Sequence, residues 1–377
     1  MKFIGIFFLL GWVGGQLLRW PGEFPVTVLD VAVGGMVIAN FANSKKVGLW
    51  TIAILVGSWV LGLRLFSLEQ SLTGGLYLLR FLGYLWVIIN SEKLLGPVKK
   101  FIIPAFWVFI ILAWIQYLFL PDTRFLLRYG WDEHYYRMIG TVLDPNYLGV
   151  MLGIIGIYLI YKYTNRQIDK WGKILIALTF GGLVMTYSRA AWLAITVGLS
   201  VYSVIPAKAG IYKDNLNRFR IKSGMTMKIL IGLLFFGLVL YLAPKQGGEG
   251  VNLFRTASIE QRIESWREGI NVWREHPWLG VGFNNYRIAA GLNGKSHAGN
   301  APSSSWILLL ATTGIIGTGI LGGLGVVDGI RGIREMTKNK LWIGILVMIG
   351  VHAVFNNTLF FQPVLGLLAL IKAASAD

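Results

Sequence analysis

FIIPAFWVFIILAWIQYLFL, residues 101–120, contains no Asp, Glu, Lys or Arg. As an α-helix rising 1.5 Å per residue it would reach about 30 Å, the thickness of a bilayer's hydrocarbon core. Similar runs lie before and after it with short interruptions. The chain of 377 residues is 55% hydrophobic and 14% charged, where soluble domains hold about a quarter charged residues. The sequence therefore predicts an all-α, polytopic transmembrane helix bundle of about twelve spans, one membrane domain over 1–377. The spans fall at roughly 3–19, 24–42, 47–66, 71–90, 101–120, 145–161, 174–187, 190–205, 229–244, 304–326, 341–359 and 362–374. The first has no small-x-small cleavage site and is followed by Arg19-Trp20-Pro21, so an uncleaved span is expected rather than a signal peptide.

Lysines set the orientation. Lys45-Lys46, Lys93, Lys99-Lys100, Lys162, Lys170, Lys173, the stretch from Lys208 to Lys228, and Lys338 and Lys340 all fall on one side of this topology. The positive-inside rule makes that side cytoplasmic, with both termini there and a multi-pass location in the cytoplasmic (inner) membrane. The formal net charge of +17 is thereby accounted for by short loops, and no basic platform stands apart for nucleic acid. Residues 206–228 (PAKAGIYKDNLNRFRIKSGMT and its flanks) differ from their surroundings in charge and complexity, and are expected to be a tolerated insertion on the cytoplasmic face.

Two outer loops remain, 121–144 and 245–303. They are rich in arginine (Arg124, Arg128, Arg137, Arg255, Arg262, Arg267, Arg274, Arg287) and poor in lysine. A guanidinium holds phosphate through two parallel hydrogen bonds, which an ammonium does not. In the second loop, SIEQRIESWREGINVWREHPWLG (258–280) reads as a helix. Ile259, Ile263, Trp266, Ile270 and Trp273 make an apolar stripe, Ser258 an N-cap, and His276-Pro277 the stop. Arg262 sits at the flank of that stripe, either solvated or reaching for a headgroup or pyrophosphate.

Within or beside spans lie Arg80 and Arg189, each a functional candidate or half of a buried ion pair; Asp30 is the obvious acid at matching depth. His297, in the polar end of the large loop, and His352, late in the eleventh span, are the histidines placed to handle a proton. The chain has no cysteine, which excludes disulfides and a thiol nucleophile. No metal-ligand spacing and no phosphate-cradling glycine loop is present, so neither metal nor cofactor is expected, and the activated donor would already be in the membrane.

In order, RMIGTVLDPNYLG (137–149), TYSRAAWLA (186–194), RIESWREGINVWREHPWLGVGFNNYR (262–287), His297 with SSSWILLLATTGIIG (303–317), and HAVFNNTLFFQP (352–363) resemble the motifs of the O-antigen ligase and polymerase superfamily. Members are integral membrane transferases acting on undecaprenyl-diphosphate-linked glycans. The resemblance covers about residues 75–370. It implies that Arg189 and Arg262 contact the carrier pyrophosphate and that His297 deprotonates the acceptor hydroxyl in a direct, metal-free, inverting displacement. Arg80, Arg137, Asn146, Arg287, Asn300 and His352 are the accompanying substrate-binding candidates. Many ligases have Asn directly after the histidine; here Asn300 follows three residues on, and His352 stands as the alternative base. Ligase, polymerase and protein O-oligosaccharyltransferase share these motifs, with glycan, lipid or protein as acceptor. A lipid-linked glycan flippase or transporter is the reading from another class; it predicts inverted repeats, and none is evident.

Overall fold

The computed structural model describes residues 2–22, 24–43, 48–204, 249–252, 256–292, 301–336 and 340–375. Apart from one two-stranded turn, its regular structure is helical. Helices α1 (Lys2–Gly14), α2 (Val28–Asn40), α3 (Leu49–Gly62), α4 (Leu68–Leu95), α5 (Ile102–Phe119), α6 (Pro145–Thr164), α7 (Lys170–Met185) and α8 (Arg189–Val204) precede the outer-loop helices α9 (Ala257–Glu275) and α10 (Tyr286–Ala289). The chain ends with α11 (Ser305–Met336), α12 (Lys340–His352) and α13 (Gln362–Ser375). Among the described residues, two stretches, Leu68–Phe119 and Pro145–Thr164, are long and apolar enough to cross a membrane by length and composition, and six shorter apolar helices accompany them. The expected span at 229–244 and the expected insertion at 206–228 lie outside the described residues.

The core is built around α6, whose residues from Leu148 to Leu159 are almost all buried. Glycines let its neighbours come close. A Cβ on Gly149 would stand 2.7 Å from that of Ala191 on α8, and one on Gly153 would overlap Met348 of α12. Trp12 of α1 packs on Phe106 and Phe109 of α5 and donates its indole N–H to Pro363 O at 3.0 Å.

Three details differ from the sequence reading. First, strands β1 (Arg19–Trp20) and β2 (Val26–Thr27) pair antiparallel, so the second helix starts at Val28. A capping box fixes that start: Thr27 Oγ1 accepts from Asp30 N at 3.1 Å, and Asp30 Oδ2 accepts from Thr27 N at 2.8 Å. Asp30 thus belongs to a first helical turn.

Secondly, α11 is broken at Gly314, which has φ 65° and ψ −175°. The loop after α9 inserts at the break. Val281 N and Gly282 N donate to Ala311 O and Thr312 O, and Ile315 N and Ile316 N donate to Pro277 O and Trp278 O. The backbone groups that a broken helix leaves orphaned are satisfied by this exchange. It requires glycine on both sides, since a Cβ on Gly280 would lie 2.4 Å from Thr312 C and one on Gly314 2.3 Å from Trp278 O. Gly314→Val is therefore expected to lower the temperature at which the detergent-solubilised protein aggregates by several degrees, through clash and left-handed strain together. Unchanged stability would remove the exchange from the account.

Thirdly, α9 follows the expected stripe at Trp266, Ile270 and Trp273 but departs from it at its start. Arg262, Ser265, Trp266, Gly269 and Val272 turn inward, while Ile259 and Ile263 are 45% and 41% exposed. The small residue decides it: a Cβ on Gly269 would lie 2.5 Å from Ile307 Cγ2, so α9 docks on the start of α11 along its glycine rather than Ile259 and Ile263. Ser303 N donates to Ser265 Oγ at 2.9 Å, and the Trp266 ring lies 6.1 Å from that of Phe355.

The two ends of the bundle differ in chemistry. Lys99, Lys100 and Lys162 line a cavity of about 510 Å³ where α5 and α7 start and α6 and α13 end. At the opposite end, Arg19, Arg80 and Arg287 line one of about 570 Å³.

Candidate active site

The site begins at the amino terminus of α6. Asp144 is its N-cap, with Pro145 in the first turn; the carboxylate accepts from Asn146 N at 2.7 Å and Tyr147 N at 2.9 Å. This is the arrangement that satisfies the free N–H groups of a helix start. Burial pushes the Asp144 carboxyl up from its ordinary range, while the two N–H donors, Arg137 and Arg262 pull it down.

Beside it is the tight joint between α7 and α8, made with Tyr187 at φ 50°. Ser188 Oγ serves two helices: it accepts from Ala191 N at 3.3 Å and donates to Asn146 Oδ1 at 2.9 Å. Asn146, a substrate-binding candidate, therefore ties α6 to α8. Arg137 is buried under the joint, with Nε donating to Thr186 O at 2.9 Å and Nη2 3.5 Å from Tyr187 O. A cation on the last carbonyls of α7 also complements that helix's dipole. Arg137→Gln is expected to destabilise the fold by about 1–3 kcal/mol, because buried carbonyls lose their donor. Thermal aggregation of the solubilised protein measures this, and an unchanged midpoint would show the joint to be held otherwise.

Arg189 opens α8, and its Nη2 donates to Ser258 Oγ of α9 at 2.9 Å. Ser258 is thus a hydrogen-bond acceptor for α8 and not the N-cap; Thr256 occupies that position without a side-chain cap. Arg262, one helical turn further along α9, comes within electrostatic reach of Arg189, Asp144 and His352. Desolvation, then the Arg189 charge, lower the Arg262 pKa, and Asp144 opposes them. Two N-terminal helix ends meet here, with Arg137 and Arg262 acting on the Asp144 carboxylate and Arg189 acting on Arg262. Such a place binds anions.

His352 is fully buried. Its Nδ1 is 2.6 Å from Thr358 Oγ1 and its Nε2 is 3.2 Å from Asn356 Nδ2. Each ring nitrogen thus has a polar neighbour, the Thr358 hydroxyl on one side and the Asn356 amide on the other. With both nitrogens engaged, His352 braces the turn that follows α12.

The second cavity adjoins this cluster through Tyr147, whose ring stacks on Phe361 at 4.0 Å. Arg80 and Arg287 line that cavity and not the cluster. Arg80 meets Asp30 (Nε to Oδ1, 3.5 Å), donates to Pro25 O, and lies over the Phe24 ring at 3.9 Å. The ion pair that the sequence offered as its alternative reading is present. His297 and Asn300 lie outside the described residues.

Comparison with known proteins gives two findings. A family described as O-antigen ligase matches residues 174–322, which takes in the α7–α8 joint and α9. The chain is also 25% identical over 164 residues to a protein named "General O-oligosaccharyltransferase" from Acinetobacter baylyi. That match covers 41% of this chain and spans little more than a quarter, 28%, of the relative.

Proposed function

We propose that this chain, whose residues 174–322 match a family described as O-antigen ligase, is an integral membrane transferase that moves a glycan from a polyprenyl-diphosphate carrier to an acceptor at the outer face of the cytoplasmic membrane. The observation that carries the reading is the convergence of Arg189 and Arg262 on the helix starts capped by Asp144 and Ser188. In the displacement, the acceptor hydroxyl gives its proton to His297. Its oxygen bonds to the anomeric carbon as the bond from that carbon to the carrier diphosphate breaks. The diphosphate leaves with more negative charge than it had, and fixed guanidiniums in a low-dielectric site stabilise that change. Arg137 and Asn146 position the helix ends on which the two arginines depend.

The same reading accounts for the membrane arrangement. We take the twelve-span topology with both termini cytoplasmic, so the lysine end faces the cytosol and the arginine end faces out. Exposed Ile259 and Ile263 then give α9 an apolar side toward lipid, where a polyprenyl carrier enters. Loops 121–144 and 245–303 form the outer catalytic surface over a single membrane domain. The acceptor is a glycan, lipid or protein; the relative's name favours an oligosaccharyltransferase of the same kind.

Proteoliposomes holding a fluorescent undecaprenyl-diphosphate glycan separate this reading from that of a flippase. A transferase consumes donor and releases undecaprenyl diphosphate in an acceptor-dependent way. Donor that changes leaflet unconsumed would make the protein a carrier.

A further inference from the structure

The cavity of about 570 Å³ is separate from the arginine cluster, with Tyr147 and its stacked partner Phe361 forming the wall. Three arginines line it, and among the described residues of its lining there is no Asp or Glu. Arg80 is matched by Asp30 at 3.5 Å. Arg19 lies over the Trp131 ring at 5.1 Å and Arg287 stands at the start of the loop towards His297; neither forms an ion pair with a described carboxylate. Two cations thus face the same space unmatched. Between them the walls carry side-chain amides (Gln70, Asn284, Asn357) and aromatic rings (Tyr77, Tyr129, Phe360). Amides pair with sugar hydroxyls and rings cover sugar faces, while unmatched guanidiniums select carboxylate or phosphate. Ala301, where the described chain resumes after His297, also lines the cavity.

We infer that this cavity is an acceptor subsite selecting an acidic glycan, one carrying carboxylate or phosphate groups, with Arg19 and Arg287 as the selecting residues. The inference rests on the transferase reading for the word acceptor, but the binding of an acidic glycan does not. Arg80, held by Asp30 and Pro25, is the positioning residue that shapes the inner wall.

The test uses the full chain in nanodiscs, with Arg19→Gln and Arg287→Gln, whose side chains lie at the cavity rather than in the core. The probes are trigalacturonate, a singly phosphorylated maltotriose and maltotriose itself. Binding is read by calorimetry, and the KM for donor and for acceptor is read separately. Losing a charged hydrogen-bonded pair corresponds to roughly a ten- to hundred-fold weakening. We expect that loss for one or both acidic probes in each variant, with maltotriose and the donor KM unmoved; which acidic probe responds tells carboxylate from phosphate. Equal binding of acidic and neutral probes by the wild type overturns the inference, as does a variant effect confined to the donor KM. If wild type binds acidic probes through these arginines yet consumes no donor, the transferase reading fails and the subsite stands.

Discussion

Arg262→Ala is expected to lower glycan transfer by about a hundred- to a thousand-fold, the usual loss when a fixed donor to developing negative charge is removed. The same substitution is expected to leave the protein as stable as the wild type or more so. Arg262 is half-buried on α9 beside a second cation, Arg189, with Asp144 as the nearby opposing charge. Removing it relieves repulsion and desolvation together, while the contacts that dock α9, at Ser265, Trp266 and Gly269, remain. Opposite signs for activity and stability mark a residue kept for function. A transfer assay and a melting curve on one preparation decide it. If activity and stability fall in parallel, Arg262 is a structural residue. Arg189→Ala should lose activity comparably but also some stability, because its Nη2 joins α8 to Ser258 of α9 at 2.9 Å.

His297→Ala is expected to cost about a hundred- to ten-thousand-fold in transfer at neutral pH, the range for a positioned general base. The pH profile carries the sharper signature. A base must be unprotonated to act, so the wild-type rate should fall on the acid side as that base takes up a proton. The residual rate of the alanine variant should lose that limb. His352, the alternative base, has Thr358 Oγ1 and Asn356 Nδ2 at 2.6 and 3.2 Å from its two ring nitrogens. Retention of the acid limb in His297→Ala, and its loss in His352→Gln, would exchange the two assignments.

The helices were legible because apolar runs of this length have few other uses; α4 to α8 begin and end within a few residues of the predicted spans. What escaped the sequence were features made by partners. The strand pair at 19–27 is two residues wide and leaves no alternation to detect. The break at Gly314 depends on a loop some thirty residues earlier that supplies hydrogen bonds to the freed carbonyls, and TTGIIG alone reads as an ordinary helix. On α9 the isoleucine and tryptophan spacing held for Trp266, Ile270 and Trp273, while steric fit at Gly269 left Ile259 and Ile263 exposed and Arg262 half-buried. Arg80 and Asp30 were a readable pair because few acids lie near that depth. The meeting of Arg189 with α9 follows from no spacing, since Arg189 and Arg262 sit on helices far apart in the chain, and family resemblance was the signal that joined them. The large cavity's grouping of Arg19 with Arg80 and Arg287 needed the fold itself.

On the proposed mechanism, the arginines where α6, α8 and α9 meet stabilise the departing carrier diphosphate. Release of undecaprenyl diphosphate from a labelled lipid-linked glycan, timed in proteoliposomes with saturating acceptor, tests it most directly. The wild type is compared with Arg189→Gln, Arg262→Gln and the double variant, each shown to be folded. Release from the wild type is expected, with a loss of at least a hundredfold in each single variant and a double variant little worse than either, as for groups acting on one leaving group. Release at the wild-type rate from the double variant would contradict it.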